Sequence, residues 1–528
     1  MVHGFETVLG LLVGVVFLAL VARHFGLPAP AVLVTGGLLV ALVPGLPTVS
    51  FDPQLVFLVF VPPLLYRACL MASYRDFRAN LRPILSLGIG HVLFVTLVVG
   101  WVAHRVLPGL PWAAAFVLGA VVSPPDVAAA TAFLRRLPMP RRVVTILEGE
   151  SMLNDAAAIV AYRFAIVATV TGAFSFSAAM MRFFVIATGG IAVGLVIGWL
   201  IGAVRQRLHA REIENTISLV TGYAAYLPAE HLGVSGILAV VATGLYLGRV
   251  GPRFVAADTR VQNDGMWGVV VFMLEGLIFI LTGLELRSIL QSFTSSQWEL
   301  LAKSAGWVSL AVIAARFAWV YPAGYLRWIS SWVRAREPLP RWRSLALASW
   351  AGLRGGESLV LAAAIPAVTD AGTPFPGRNA IIAITYAVIL VTLIGQGFTL
   401  GPLLRLLGNA ETGEDERREE IAARLRVSQA AVARLEALVG VDWVHPETLA
   451  RTRGRYDHIA RRVRNTADGI ADGSGERISA ADRRLLRDII GAQRLELIRT
   501  RDEGAISDAV MRRVQRELDL QELLLTDE

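Results

Sequence analysis

Apolar residues run along this chain in long stretches, broken by short polar segments in which arginine dominates. About thirteen such stretches, at 5–22, 29–46, 53–71, 83–103, 111–134, 142–170, 179–203, 214–230, 234–249, 265–286, 302–327, 343–368 and 379–405, reach or nearly reach the ~20 residues that a membrane-crossing helix needs. The expected fold is therefore an all-α polytopic membrane protein of about 13 transmembrane helices. The first stretch has no basic segment ahead of it and no small-residue cleavage site, so it reads as a retained membrane helix. After Leu407 the pattern changes: G-N-A-E-T-G-E-D-E-R-R-E-E opens a hydrophilic region, and helical periodicity returns over 417–438, 446–465 and 480–524. Asp468–Gly475 between them reads as a flexible break. The expected organisation is a membrane domain over 1–407 and a helical tail over 408–528 that serves regulation or assembly.

The loops assign sides. Arg67, Arg75, Arg78 and Arg82 follow the third stretch, Arg135, Arg136, Arg141 and Arg142 the fifth, and Arg205, Arg207 and Arg211 the seventh. The loops 44–53 and 172–179 between them carry no basic residue. The positive-inside rule then places the N-terminus outside and the tail in the cytoplasm, in the cell membrane. Only 17% of the 528 residues are charged, against about 25% for a soluble domain. The net charge of +8 comes from these arginine-rich loops and is not a nucleic-acid signature. The single cysteine, Cys69, excludes an internal disulfide and a cysteine-clustered metal site, and reads as a packed apolar residue.

Polar residues inside apolar stretches carry the chemistry. The stretch 146–163, I-L-E-G-E-S-M-L-N-D-A-A-A-I-V-A-Y-R, holds Glu148, Glu150, Ser151, Asn154 and Asp155. Helical spacing stacks Glu148, Ser151 and Asp155 on one face and Glu150 with Asn154 beside them. A carboxylate at membrane depth costs roughly 3 kcal/mol even on the lenient insertion scale, so three in one helix point to a functional site. Two other stretches are interrupted. V-S-P-P-D-V holds Ser123, Pro124, Pro125 and Asp126, where two prolines remove backbone donors and free carbonyls upstream. W-A-G-L-R-G-G-E-S-L holds Arg354, Gly355, Gly356 and Glu357. Irregular backbone at depth is tolerated only where it is buried or lines a cavity. The breaks fall in matching places of two six-helix halves, the pattern of a transporter built from two inverted repeats. Elsewhere, Glu275 is a mid-membrane carboxylate, Arg163 and Arg316 read as snorkelling to an interface, and Glu230-His231 and Glu285 read as interfacial.

Hard cations want oxygen ligands. Asp126, Asp155, Ser151 and the carbonyls freed near Ser123–Pro125 supply them. Burial and a neighbouring carboxylate both favour a protonated acid, so a proton and a cation can compete for one group. A membrane enzyme is disfavoured because Gly149-Glu150-Ser151 has no histidine base in any of the motifs. A passive cation channel would need a repeated filter that is absent from the sequence. A sensor that signals through the tail is a further alternative.

L-E-G-E-S-M-L-N-D-A-A-A, S-P-P-D-V-A-A-A and W-A-G-L-R-G-G-E-S-L, with 51–66 and 231–245, together resemble the monovalent cation:proton antiporter family of bacterial and animal sodium/proton antiporters and exchangers, over about 5–407. The resemblance implies a secondary active transporter and not an enzyme. It implies a homodimer among membrane lipids, with crossed, partly unwound helices and alternating access, and no cofactor beyond the transported Na+ (or Li+ or K+) and H+. It makes Asp155 the carboxylate that binds cation and proton in turn, with Asp126 and Ser151 around the ion. Asn154 marks electroneutral members, and Glu150 is implied to pair with Arg354. A K+-selective antiporter is the alternative reading. Two departures bear on selectivity. Pro125 stands where a threonine is usual, and Gly356-Glu357 where a small apolar pair is usual, so Glu357 adds a carboxylate. Glu148, Glu275 and Glu357 are then acids standing behind the ion.

Overall fold

A computed structural model describes residues 2–43, 53–126, 141–172, 176–208, 210–285, 289, 293, 295–328, 342–407, 414–441, 444–467 and parts of 484–521. It divides into two units, Met1–Ala410 and Glu411–Glu528. Among the described residues every element is helical apart from one isolated bridge between Val368 and Pro374.

The first unit opens with α1 (Val2–His24), α2 (Ala29–Ala41) and α3 (Pro53–Met71). Two short helices, α4 (Tyr74–Ala79) and α5 (Leu81–Leu85), lead through a π-helical turn, Ser86–His91, into α6 (Val92–Val106). Then come α7 (Trp112–Val122), α8 (Arg141–Thr171), α9 (Phe176–Arg205), α10 (Arg211–His231), α11 (Gly236–Val250), α12 (Ala257–Leu284) and α13 (Ser295–Trp328). The unit closes with α14 (Trp342–Trp350), α15 (Gly356–Ala363), α16 (Arg378–Leu390), a second π-helical turn at Val391–Gln396, and α17 (Gly397–Leu407). In the second unit α18 (Glu414–Glu436) and α19 (Pro446–Ala467) pack on each other. The loop 44–52, the arginines Arg135 and Arg136, and the break at 468–475 lie outside the described residues.

Seven of the described helical segments are long and apolar enough to cross a membrane, and three shorter apolar ones, Ala29–Ala41, Leu58–Met71 and Trp112–Val122, accompany them. Of the two interrupted stretches, the first is helical up to Val122 within its described part, and the second is split at 351–355 into α14 and α15. Helix α10 opens on Arg211, Glu212 and Glu214. In that opening Arg211 and Glu212 are exposed, while Glu214 is buried and lies 3.7 Å from buried Arg205 at the end of α9.

Close helix crossings depend on missing side chains. A Cβ on Gly37 of α2 would meet the Ile280 carbonyl of α12, and one on Gly283 of α12 would meet the Val34 carbonyl. Gly194 of α9 lets the Thr243 hydroxyl of α11 donate to its carbonyl at 2.7 Å. Cys69 is fully buried against Gly244, as a small packed residue would be.

Candidate ion-exchange site

Helix α7 stops at Val122 because Pro124 and Pro125 cannot donate to the preceding turn. The carbonyls left open find partners. The Ser123 hydroxyl donates to the Ala120 carbonyl (2.8 Å), Arg354 Nε to the Val122 carbonyl (2.6 Å), and Asn154 Nδ2 to the Pro125 carbonyl (2.7 Å). The second break, 351–355, separates α14 from α15. The two breaks are joined directly, since the Asp126 N–H donates to the Leu353 carbonyl at 2.7 Å. The Arg354 N–H donates to Thr392 Oγ1 (3.1 Å) at the second π-helical turn, and Arg354 Nη1 donates to the Gly352 carbonyl (3.0 Å). Unwound backbone at depth is thereby satisfied by its own side chains and by the opposite break, as an apolar surround demands.

Gly355 fixes how closely the breaks approach. A Cβ there would collide with the Asp126 carboxylate. Gly355→Ala therefore pushes Asp126 out of position, and exchange in the folded variant falls by roughly tenfold or more, since a displacement of about 1 Å in a site costs up to a hundredfold. Normal exchange by Gly355→Ala in reconstituted vesicles would contradict this placement.

Helix α8 supplies the other wall. The carboxyls of Asp155 and Glu357 are in hydrogen-bonding contact with each other, and Asp126 lies beside them. Asp126, Ser151, Asp155 and Glu357 are all partly open to solvent, whereas Glu150, Asn154 and Arg354 are sealed. Asn154 braces the first break through Nδ2, and its buried Oδ1 has no hydrogen-bonding partner. Among the described residues no three His, Cys, Asp or Glu side chains form a ready-made metal cage. The arrangement brings carboxyl, hydroxyl and backbone carbonyl oxygens together beside the two breaks.

The supporting ion pair differs from expectation. Glu150 is not paired with Arg354. Its carboxylate receives two parallel N–H donors from Arg316 of α13, Nη1 to Oε1 and Nη2 to Oε2 at 2.9 Å. Arg316 does not snorkel: it is 1% exposed, and its Nε also donates to the Ala348 carbonyl at 3.2 Å. The physical reason is room and geometry. Gly352 leaves the space that the Arg316 stem fills, while Arg354 donates from Nε to the Val122 carbonyl at the proline break and from Nη1 to the Gly352 carbonyl at the glycine break. The sequence reading also passed over His91. It is fully buried, its Nδ1 stands 3.9 Å from Glu150 Oε1, and among the described residues neither ring nitrogen has a hydrogen-bonding partner. The signal was present in S-L-G-I-G-H, the lone ionisable side chain in an apolar run with small residues beside it.

The remaining carboxylates lie further out. Glu148, with Ser73, Asp76, Thr145 and Met152, lines a cavity of about 160 Å³ between α4 and the start of α8. Glu275 is half-buried on α12, one turn before Ile278, which packs with Thr282 against Gly356. Arg163 pairs with Glu230 at 3.1 Å, both partly exposed.

The family model described as "Sodium/hydrogen exchanger, transmembrane" matches residues 9–406. The chain belongs to the sodium/hydrogen exchanger family. It is thus a multi-pass membrane transporter and not an enzyme. It is 34% identical over 537 residues, spanning 100% of this chain and 97% of the relative, to an uncharacterised Na+/H+ exchanger of Mycobacterium tuberculosis. It is 35% identical over 387 residues to a sodium, potassium, lithium and rubidium/H+ antiporter of Bacillus subtilis, covering 70% of this chain and 56% of that one. The solved structure of the sodium proton antiporter MjNhaP1 from Methanocaldococcus jannaschii at pH 8 shares the fold: TM-score 0.60 at 21% identity, over 75% of this chain and 99% of that one.

Proposed function

We propose that this exchanger carries one alkali cation, Na+ first among them, against one proton, and that both compete for Asp155. The observation that supports this most directly is the meeting of the two breaks, Asp126 N–H on the Leu353 carbonyl, beside the contacting carboxyls of Asp155 and Glu357. Among the described residues no arginine or lysine forms an ion pair with that contact. Arg316 is committed to Glu150, and Arg354 donates to backbone carbonyls. A contacting pair of acids is costly to keep charged in such a surround, and a proton or a cation arriving at the pair relieves that cost, which supports competition for the site.

If only a loaded site crosses, competition alone gives obligatory exchange. The crossing is a rigid-body movement of one helix bundle against another, with the breaks belonging to two inverted repeats around the midplane. Asn154 adds no titrating group and braces Pro125, which fits an electroneutral cycle. Asp126 and Ser151 complete the oxygen shell. The N-terminus lies outside and the tail in the cytoplasm, and a second copy of the chain completes a homodimer. Li+ and K+ are the other cations to try, since the Bacillus subtilis relative is described as handling both with Na+ and Rb+.

The test is proton flux in liposomes of purified protein, with an acid lumen and a pH-reporting dye. Adding Na+ outside is expected to alkalinise the lumen, unchanged when a potassium/valinomycin clamp holds the voltage. A clamp-sensitive signal would contradict electroneutrality, and no response to Na+, Li+ or K+ would contradict the exchange itself.

A further inference from the structure

The second break ends in a feature that the proposed exchange does not require. Gly355 and Gly356 leave no room for side chains: a Cβ on Gly355 would collide with the Asp126 carboxylate, and one on Gly356 would come within 2.6 Å of Ile278 and 3.0 Å of Thr282 Oγ1. Glu357 is thus the first residue after the break able to extend a side chain, and that side chain meets Asp155. It sits in the first turn of α15, where the helix dipole favours a negative charge, and it is partly open to solvent. Asn154, next to Asp155 on α8, reaches the first break, and among the described residues its buried Oδ1 has no partner. Two contacting carboxyls are thereby brought between the breaks, with the amide at the neighbouring position of α8.

We propose that Glu357 is a direct ligand of the transported cation and that, paired with Asp155, it makes the site select small alkali ions, Li+ and Na+, over K+ and Rb+. This rests on the exchange reading given above. Coulomb attraction rises as the ion–oxygen distance falls, so adding a further carboxylate to those of Asp155 and Asp126 rewards a small ion more than a large one. Dehydration opposes that gain most strongly for the small ion, and the number and field strength of the ligands decide which wins. Glu357, in contact with Asp155, raises the field at the ion above what Asp155, Asp126 and neutral oxygens supply.

The experiment measures half-saturating Li+, Na+, K+ and Rb+ for proton exchange by the full-length chain in voltage-clamped liposomes, for wild type, Glu357→Gln and Glu357→Asp. Wild type is expected to take Li+ and Na+ at lower concentrations than K+ and Rb+. Glu357→Gln is expected to raise half-saturating Na+ by roughly tenfold and to shrink the Na+/K+ preference by a similar factor, as one charge-assisted contact is lost. Glu357→Asp is expected to keep most of the preference. To separate loss of fold from loss of a ligand, gel filtration and the stabilisation of detergent-purified protein by added Na+ are read alongside. A monodisperse Glu357→Gln with unchanged Na+ stabilisation and unchanged ion preference overturns the proposal. Wild-type exchange with an indifferent Glu357→Gln sinks this inference alone, whereas no wild-type exchange with any of the four ions sinks the exchange reading and this one with it.

Discussion

Asp155→Asn abolishes cation-driven proton exchange while the protein still inserts, purifies and runs as a single species. The amide has nearly the shape of the carboxyl, so the packing of α8 against its neighbours is kept. It can neither take up nor release a proton in this range, nor bring a charge to a cation. The expected loss is roughly a hundredfold or more in flux, equal to about 2.7 kcal/mol of lost cation binding. Stability should hold or rise, because the substitution removes one of two contacting acids, Asp155 and Glu357, from a largely apolar surround. Proton flux and thermal unfolding of the same preparation check both halves. Flux near wild type would remove Asp155 from the mechanism, and a collapsed protein would make its role architectural.

Arg316→Leu has the opposite signature. It leaves the Glu150 carboxylate, 0% exposed, without either of its guanidinium donors, and it strips a donor from the Ala348 carbonyl. Removing one partner of a buried pair costs about 3–5 kcal/mol, a large part of the 5–15 kcal/mol that typically holds a protein folded. The expected result is aggregated or unstable protein in detergent, whatever the transport assay shows. Combining Arg316→Leu with Glu150→Gln should recover much of the loss, because the stranded charge is gone and the two sites are coupled. Arg354→Leu supplies the contrast. The direct hydrogen bonds of Arg354 go to the Val122 and Gly352 carbonyls and it meets Glu150 only through a longer-range charge interaction, so its coupling to Glu150 should be smaller than that of Arg316. Strong coupling of Glu150 to Arg354, and none to Arg316, would reverse the pairing.

Much of this was legible in the chain. Polar side chains in apolar helices are expensive, so Asp126, Asp155, Glu150 and Arg354 stood out without a structure. The double proline and double glycine marked the breaks because each removes a helix-sustaining property, a donor in one case and a side chain in the other. What the sequence could not convey is which buried arginine meets which buried acid. Arg316 and Glu150 are 166 residues apart and meet only because Gly352 leaves space on a third segment. An arginine far along an apolar run reads as snorkelling, the commoner fate, and burial alone reversed that. His91 was passed over because it belongs to none of the motifs, and its closeness to Glu150 arises from the π-helical turn.

The most direct test is uptake of radioactive sodium into acid-loaded proteoliposomes under a voltage clamp, with wild type and Asp155→Asn side by side. Wild type is expected to accumulate sodium above its external concentration while the lumen alkalinises, and Asp155→Asn to do neither. Uptake that only equilibrates, or accumulation that survives Asp155→Asn, would contradict exchange through a single shared carboxylate.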